Sequence, residues 1–126
     1  MVNRLCVLFV LPIVAACARP AVVRGLPAPN PNGCYVMVFE QPDFRGSGDV
    51  LNGPGRWRTL ENLRQTNEQG WNERIRSLRL GSTATLVAFT DVDFKGETLR
   101  LPAQSERPRL DPAFSGRIES LEIACP

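Results

Sequence analysis

The chain carries four cysteines and no histidine among its 126 residues, and this composition limits the chemistry available to it. Without an imidazole, neither a Ser-His-Asp nor a Cys-His catalytic arrangement can form, and histidine-ligated zinc is excluded. Cys34 and Cys125 lie at the two ends of the body of the chain. In an oxidising compartment such a pair predicts one disulfide, with two free thiols or a metal site as the competing interpretations. Two cysteines without a histidine make a poor metal site.

Cys17 is a candidate for lipid attachment, because it follows an apolar run. The run covers residues 5–16 after a positively charged start, and it is too short to span a bilayer. We therefore expect a signal peptide over residues 1–16 and an exported protein. The four residues that end in Cys17, Val-Ala-Ala-Cys, resemble the bacterial lipobox, in which the thiol accepts a diacylglycerol. The alternative is ordinary signal cleavage near this point, with Cys17 incidental.

Residues 17–33 are rich in proline and alanine, which predicts an extended linker between the anchor and the domain. Ala18, rather than aspartate, follows Cys17, and in Gram-negative lipoproteins this implies release to the outer membrane. We expect a lipid-anchored protein of the bacterial outer membrane or periplasm.

The rest of the chain is an internal duplication. The pattern Phe-x-x-x-Asp-Phe-x-Gly begins at Phe39 and again at Phe89, and each copy ends in an Arg-Ile-x-Ser-Leu segment that contains Ser77 or Ser120. The first copy has seven more residues between these two segments, and we expect the surplus within residues 53–69. Two paired motifs in the same order indicate two copies of one folding unit.

Each copy contains about four short β-forming segments and no long stretch of helical period. The sequence therefore predicts an all-β sandwich of paired Greek-key motifs, the first over residues 34–80 and the second over residues 84–125 of a domain that spans 34–126.

These motifs resemble those of the βγ-crystallin family. The resemblance gives structural roles to an aromatic residue, a phenylalanine, a glycine and a serine in each copy: Phe39, Phe44, Gly46 and Ser77, then Phe89, Phe94, Gly96 and Ser120. In the hairpin that such residues form, the aromatics pack together and the glycine takes a conformation costly for other residues. The segment from Gly70 to Leu78 also resembles the corresponding family segment.

The resemblance implies two calcium sites, each built from both motifs. Asn72 and Glu73 keep the oxygen-bearing character of one site, but Arg76 replaces a ligand hydroxyl there, and Glu119 replaces its counterpart in the other copy. In the second copy, Ser-Gly at residues 115–116 replaces the expected acidic pair. A guanidinium offers only donors and adds positive charge, so we expect no resident cofactor and at most weak calcium binding, with Asn72, Glu73 and Glu119 as the candidate ligands.

Several side chains have a plain structural interpretation beside a functional one. Trp57 and Trp71 suit a core better than a ligand platform, and Asp91 and Asp93 suit a turn better than a glycosidase pair. A set of four arginines could form a basic rim or an ordinary solvated surface: Arg56, Arg58, Arg107 and Arg109. The formal net charge of +2, with interspersed charges, argues against nucleic-acid binding.

The sequence thus favours a non-enzymatic, lipid-anchored envelope protein that serves as a structural or interaction module with degenerate calcium sites. It contacts the membrane through its anchor and is expected to be a monomer, and no protein or glycan partner is indicated. One alternative is a secreted protease inhibitor that uses an exposed loop within residues 53–69. A weak calcium-binding module is the other.

Overall fold

A computed structural model of the chain describes residues 25–126. The predicted signal peptide and Cys17 lie outside these residues. The strands are β1 (Tyr35–Gln41), β2 (Arg45–Asn52), β3 (Gly55–Trp57), β4 (Ser77–Leu80), β5 (Thr85–Asp91), β6 (Lys95–Leu101), β7 (Glu106–Arg107) and β8 (Ser120–Ala124). Single 3-10 turns at Pro42–Phe44 and Val92–Phe94 connect β1 to β2 and β5 to β6. Within the described range, no helix has the length and hydrophobicity needed to cross a membrane.

The strands form two four-stranded antiparallel sheets, in the orders β2-β1-β4-β7 and β3-β8-β5-β6. Each sheet takes three strands from one copy of the motif and one short strand from the other. β3 of the first copy pairs with β8 of the second, and β7 of the second pairs with β4 of the first. This exchange makes the two copies one unit, and the predicted all-β sandwich of paired Greek keys is confirmed.

The core lies between the sheets because alternate residues of the central strands point inward. Val36 and Val38 of β1 are fully buried, as are Leu86 and Ala88 of β5, within 1%. Trp71 is also fully buried, which places it in the core. Trp57 is half-buried and packs against the same cluster.

Both hairpins have the same geometry. The rings of Phe39 and Phe44 meet edge to face at 5.7 Å, and those of Phe89 and Phe94 do so at the same distance. Gly96 has φ +87°, a conformation that is costly for residues with a side chain. A Cβ there would also approach the Thr90 hydroxyl to 2.4 Å, so both the backbone conformation and the available space require glycine.

Ser77 and Ser120 fix these hairpins to the next strand of each sheet. The Ser77 hydroxyl accepts from the amide of Phe44 at 3.0 Å and donates to the carbonyl of Gln41 at 2.6 Å. Ser120 makes the same two bonds in the second copy, to Phe94 and Asp91. Each serine therefore satisfies a backbone donor and a backbone acceptor that the folded hairpin would otherwise leave unpaired.

Cys34 and Cys125 form a disulfide with 5.9 Å between their Cα atoms, across 91 residues of sequence. The last residues of the linker also contact the domain here. Asn30 donates from its side chain to the carbonyls of Cys34 and Gly53, and the Asn52 side chain donates to the carbonyl of Ala28. The ordered domain therefore extends into the segment that the sequence assigns to the linker.

The surplus of the first copy lies between Leu60 and Trp71. The amide of Leu60 donates to Glu119, as that of Leu110 does to Arg76, so Leu60 and Leu110 are equivalent, 50 positions apart. Trp71 and Phe114 accept equivalent turn hydrogen bonds and are 43 positions apart. Residues 61–69 therefore contain the additional seven, inside the range predicted from the sequence.

Candidate functional site

The domain has two chemically different ends. Strand β1 begins beside Asn52 and ends beside Arg45, and β5 begins beside Ala124 and ends at its own hairpin. We call the end that carries the disulfide and residues 28–33 the linker end. The opposite end, with both 3-10 turns, is the hairpin end. The candidate ligands predicted from the sequence lie at the hairpin end, because the segments that precede β4 and β8 are located there.

The first of two related positions at this end is occupied by Arg76. Its amide donates to the carbonyl of Phe39 at 2.9 Å, and Gly116 of the second copy donates to Ile75 at 2.8 Å. The Arg76 guanidinium donates from Nη1 to the carbonyl of Glu40 at 3.2 Å. Its Nη2 lies 3.0 Å from the point where a Cβ of Gly116 would stand. A positive group with only donors therefore lies between a carbonyl of the first copy and Gly116 of the second, where it opposes a metal cation.

The second position has the opposite charge. The amide of Glu119 donates to the carbonyl of Phe89 at 2.9 Å, and Glu73 of the first copy donates from its amide to Ile118 at 3.0 Å. A hydrogen bond with the Glu73 carboxyl raises the pKa of Glu119 above its ordinary value, and partial burial and repulsion from Glu73 and Asp91 act in the same direction. Two carboxyl groups that face each other can share a proton or a bound cation.

The backbone of Glu73 is unusual. Its φ is +58°, in the left-handed region, whereas the equivalent residue of the second copy is Gly116 with φ +69°. A glutamate in this conformation costs on the order of 1 kcal/mol relative to an unstrained residue, which a glycine would avoid. The chain thus holds a carboxylate against a backbone preference, next to the Glu119 side chain.

Asn72, a calcium ligand predicted from the sequence, does not join the two glutamates. Its Oδ1 is buried and has no hydrogen-bond partner among residues 25–126, and no bond joins it to Glu73 or Glu119. The structure therefore brings two of the three predicted ligands together and leaves the third as an unsatisfied acceptor. Sequence analysis missed Asp91, whose charge acts on Glu119, because its place in the hairpin pattern indicated only a turn.

The acidic groups do not complete a strong metal site. Among the residues that the structure describes, no group of three or more His, Cys, Asp or Glu is arranged to hold a metal ion. Asp91 is close enough to repel Glu119 but does not join Glu73 and Glu119 as a third ligand. Calcium takes six to eight oxygens, so backbone carbonyls and water would have to supply most of its shell at this position.

The arginines of the predicted basic rim are mostly neutralised. Arg56 pairs with Glu122 at 2.9 Å and Arg58 with Asp93 at 2.7 Å. Arg109 lies 3.8 Å from Asp43, and Arg107 donates to the carbonyl of its neighbour Glu106. With Asp93 held by an arginine, a two-carboxylate glycosidase arrangement with Asp91 has no support in the geometry.

The surplus loop, residues 61–69, lies against the first sheet. Gln65 donates to Asp49 Oδ1 at 3.1 Å, and the Trp71 indole donates to Asp49 Oδ2 at 3.2 Å. Asp49 is fully buried, and burial raises its pKa, an effect opposed by hydrogen bonds from Val50, Gln65, Trp71 and Thr66. These bonds hold the loop to the domain, whereas a protease inhibitor of the expected kind would need a loop that projects.

A cleft of about 630 Å³ opens at the linker end, between residues 29–33 and the neighbouring sheet. The titratable side chains that line it are Tyr35 and Glu106, and Glu106 lies 3.8 Å from Arg79. No nucleophile is paired with a base in its lining. The cleft therefore offers no catalytic arrangement.

Comparisons with known proteins identify the fold. No family model and no curated protein matches the sequence. A solved structure concerned with the evolution of the eye-lens βγ-crystallin domain fold matches with a TM-score of 0.63 and 22% identity, over 80% of this chain and 91% of that one. A βγ-crystallin domain from Clostridium beijerinckii matches with a TM-score of 0.59 and 24% identity, over 71% of this chain and 95% of that one. One from Flavobacterium johnsoniae gives 0.61 and 19%, over 71% and 93%.

Proposed function

Because this chain has the fold of a βγ-crystallin domain, we propose that it is a non-enzymatic structural or interaction module of the bacterial cell envelope, anchored by lipid at Cys17. The observation that carries the proposal is the polarity of the domain. Both of its termini, joined by the Cys34–Cys125 disulfide, lie at the linker end. An anchor attached there leaves the hairpin end free to face away from the membrane.

The length of the tether agrees with this arrangement. Ten residues separate Cys17 from Ala28, the first residue bonded to the domain. At about 3.3–3.6 Å per residue they span at most roughly 35 Å, so the domain would stay close to the bilayer surface. A diacylglycerol supplies two acyl chains, which suffices for stable anchoring where a single chain does not. The disulfide fits an exported protein, since such bonds persist in oxidising compartments.

Metabolic labelling with a palmitate analogue tests the anchor. The wild-type chain should incorporate the label and partition with membranes, and Cys17→Ser should lose both properties. Cys6→Ser is the matched control, because Cys6 lies in the predicted signal peptide and should leave labelling unchanged. Label retained in Cys17→Ser, or lost in Cys6→Ser alone, would contradict the assignment.

A second candidate function is weak binding of a divalent cation by Glu73 and Glu119. It is favoured by the strained backbone of Glu73 and by the raised pKa of Glu119. Calorimetric titration of the mature chain with calcium should give a dissociation constant in the millimolar range, and Glu119→Gln should abolish the heat. Glu97→Gln, an exposed acid on β6, is the control and should bind as wild type does. Equal binding by both variants would place calcium elsewhere.

A further inference from the structure

The two sheets have four edge strands, and they differ in their capacity to pair with another chain. β2 and β7 bound the first sheet, and β3 and β6 bound the second. β7 has two residues and β3 has three, so each offers few free backbone groups. β2 has eight residues and β6 has seven. Within the described part of the chain, only these two edges are long enough for stable strand pairing.

The outer edge of β2 is occupied by the chain itself. The carbonyl of Gly48 accepts from the Thr66 hydroxyl at 2.5 Å, and the carbonyl of Val50 accepts from the Gln65 amide at 3.2 Å. The amide of Val50 donates to the carboxylate of Asp49 at 2.8 Å. Gln65 and Thr66 belong to the surplus loop, so the seven additional residues of the first copy cover this edge.

In the described part of the chain, the equivalent edge of β6 has no such cover. Gly48 stands opposite Phe39, and Thr98 stands opposite the equivalent Phe89, so the two hairpins share one register. The backbone groups that point outward from β6 are therefore those of Thr98 and Arg100. The second copy lacks the surplus loop, and nothing in residues 25–126 bonds to these outward groups. The first four residues of β6 are all exposed.

We propose that β6 pairs in antiparallel fashion with β6 of a second copy of this chain, around a twofold axis through Thr98. A second copy offers one long uncovered edge, which is its own β6, so a contact between copies through strand edges has to be symmetric. The two four-stranded sheets would join into one of eight strands. The sequence predicts a monomer, but it does not reveal which strands lie at the edges of the sheets. That depends on the order of the strands in the folded domain.

The length of β6 and its charges together select the register. An axis through Thr98 pairs the whole strand, and it places two threonines opposite each other, which is a favourable cross-strand pair. In this register each charged residue faces an uncharged one: Arg100 faces Gly96, Glu97 faces Leu99, and Lys95 faces Leu101. An axis through Glu97 or Arg100 would instead set like charges directly opposite each other, which is destabilising.

The same charges make the association reversible. Each β6 carries Lys95, Glu97 and Arg100. Charged side chains on an edge strand limit its aggregation with other strands. The net charge of the strand is positive in both copies, so the copies repel each other modestly. Added salt screens this repulsion, and the dimeric fraction should therefore rise with ionic strength.

Co-isolation of two differently tagged full-length copies from the same cells tests the proposal. Tags at the C-terminus lie at the linker end, away from the centre of β6. The wild-type pair should co-isolate, and Thr98→Asp in both copies should lower the yield at least about fivefold, because two carboxylates would then face each other. Thr98→Val is the matched control, since a β-branched residue of similar shape keeps the pairing.

A second variant removes a backbone donor without adding charge. Arg100→Pro deletes an amide that points to solvent, a place where an edge strand tolerates proline, and it should also prevent co-isolation. Thermal melting of each variant, compared with wild type, verifies that the domain remains folded. Cysteine crosslinking gives an independent readout: Thr98→Cys should yield a band of twice the mass, and Arg107→Cys on β7 should not. Co-isolation unchanged by Thr98→Asp and Arg100→Pro, or equal crosslinking at both positions, would overturn the proposal.

Discussion

The Arg76 guanidinium donates to the carbonyl oxygen of Glu40 at 3.2 Å, at the position that Glu119 occupies in the other copy of the motif. A cationic side chain and a carboxylate therefore stand at equivalent places in one duplicated domain. At the first position, the Arg76 side chain supplies a positive charge. At the second, two carboxylates face each other and repel, which makes this the place where an external cation or a proton would lower the energy.

Replacing Arg76 should alter how the domain responds to calcium. Arg76→Ser removes the guanidinium and supplies a hydroxyl oxygen, so we expect a loss of about 0.5 kcal/mol of stability without calcium, from the lost hydrogen bond. With millimolar calcium, the melting temperature of this variant should rise more than that of wild type. Arg117→Ser, an exposed arginine of the second copy, is the control. Equal responses of the two variants would show that the guanidinium does not exclude the cation.

Glu119→Gln should stabilise the domain at neutral pH. The pKa of Glu119 is raised in the folded state. The wild-type protein therefore loses stability as the pH rises from the pKa of the unfolded state, about 4.3, through the pKa of the folded state. Glutamine removes the repulsion and should add about 0.5 kcal/mol at pH 7.5. The difference from wild type should vanish near pH 3, where the carboxyl is protonated in both states. Urea denaturation at the two pH values measures it, and a difference independent of pH would refute the explanation.

Asp49 and Trp71 should prove energetically coupled. The second copy has Leu99 and Phe114 at the equivalent positions, so its core lacks this polar pair. Asp49→Leu leaves the Trp71 indole and the Gln65 amide without an acceptor and should cost about 1–3 kcal/mol. Trp71→Phe should then cost less in the Asp49→Leu background than alone. A double-mutant cycle by urea denaturation should give a coupling of about 1 kcal/mol, and strict additivity would contradict the prediction.

Asp49 also predicts a pH dependence of its own. Burial raises its pKa, so its contribution to stability is largest below about pH 3.9, the unfolded value, and is lost as pH rises through the folded value. The variant Asp49→Leu cannot titrate at this position. Its stability relative to wild type should therefore be worst in acid and improve toward neutral pH. Unfolding curves between pH 3 and 8 check the sign, and the opposite trend would exclude the burial explanation.

The disulfide should contribute a large part of the stability. Loop closure over 91 residues assigns roughly 4.6 kcal/mol to the bond between Cys34 and Cys125. Cys34→Ala combined with Cys125→Ala should lower the urea midpoint accordingly, and reductant should lower that of wild type to a similar value. Cys17→Ser serves as the control, because Cys17 lies outside this loop. If reductant left the wild-type midpoint unchanged, the two thiols would not be bonded in solution.

Much of the fold follows from residues that are adjacent in the chain. The aromatic and glycine pattern at Phe39 and Phe89 predicts the hairpins because the ring contacts and the positive φ of each glycine are local requirements. The alternation in β1 and β5 predicts strands for the same reason. The spacing of the paired motifs gives the size of the seven-residue surplus, and the structure locates it inside the predicted range 53–69.

The candidate site was less predictable. The positive charge of Arg76 predicts from sequence that a cation is disfavoured near it. Its hydrogen bond to the Glu40 carbonyl, however, depends on how β1 and β4 pair. The contact between Glu73 and Glu119 joins residues 46 positions apart in different copies, and no local pattern specifies it. The influence of Asp91 on Glu119 could not be predicted, because the two residues are distant in sequence and only the folded structure brings their charges close together.

The sequence by itself determined that this protein consists of two copies of a Greek-key motif with cysteines at both ends, and it predicts an export signal before them. These properties depend on residue types and short spacings, which any chain of this sequence carries. Tertiary structure alone decided that the copies exchange their short strands, that Arg76 stands at one of two equivalent positions while Glu73 and Glu119 line the other, and that within residues 25–126 the edge of β2 is covered while that of β6 is not. Each of these depends on the pairing of strands distant in sequence, where long-range packing sets the neighbours of every side chain.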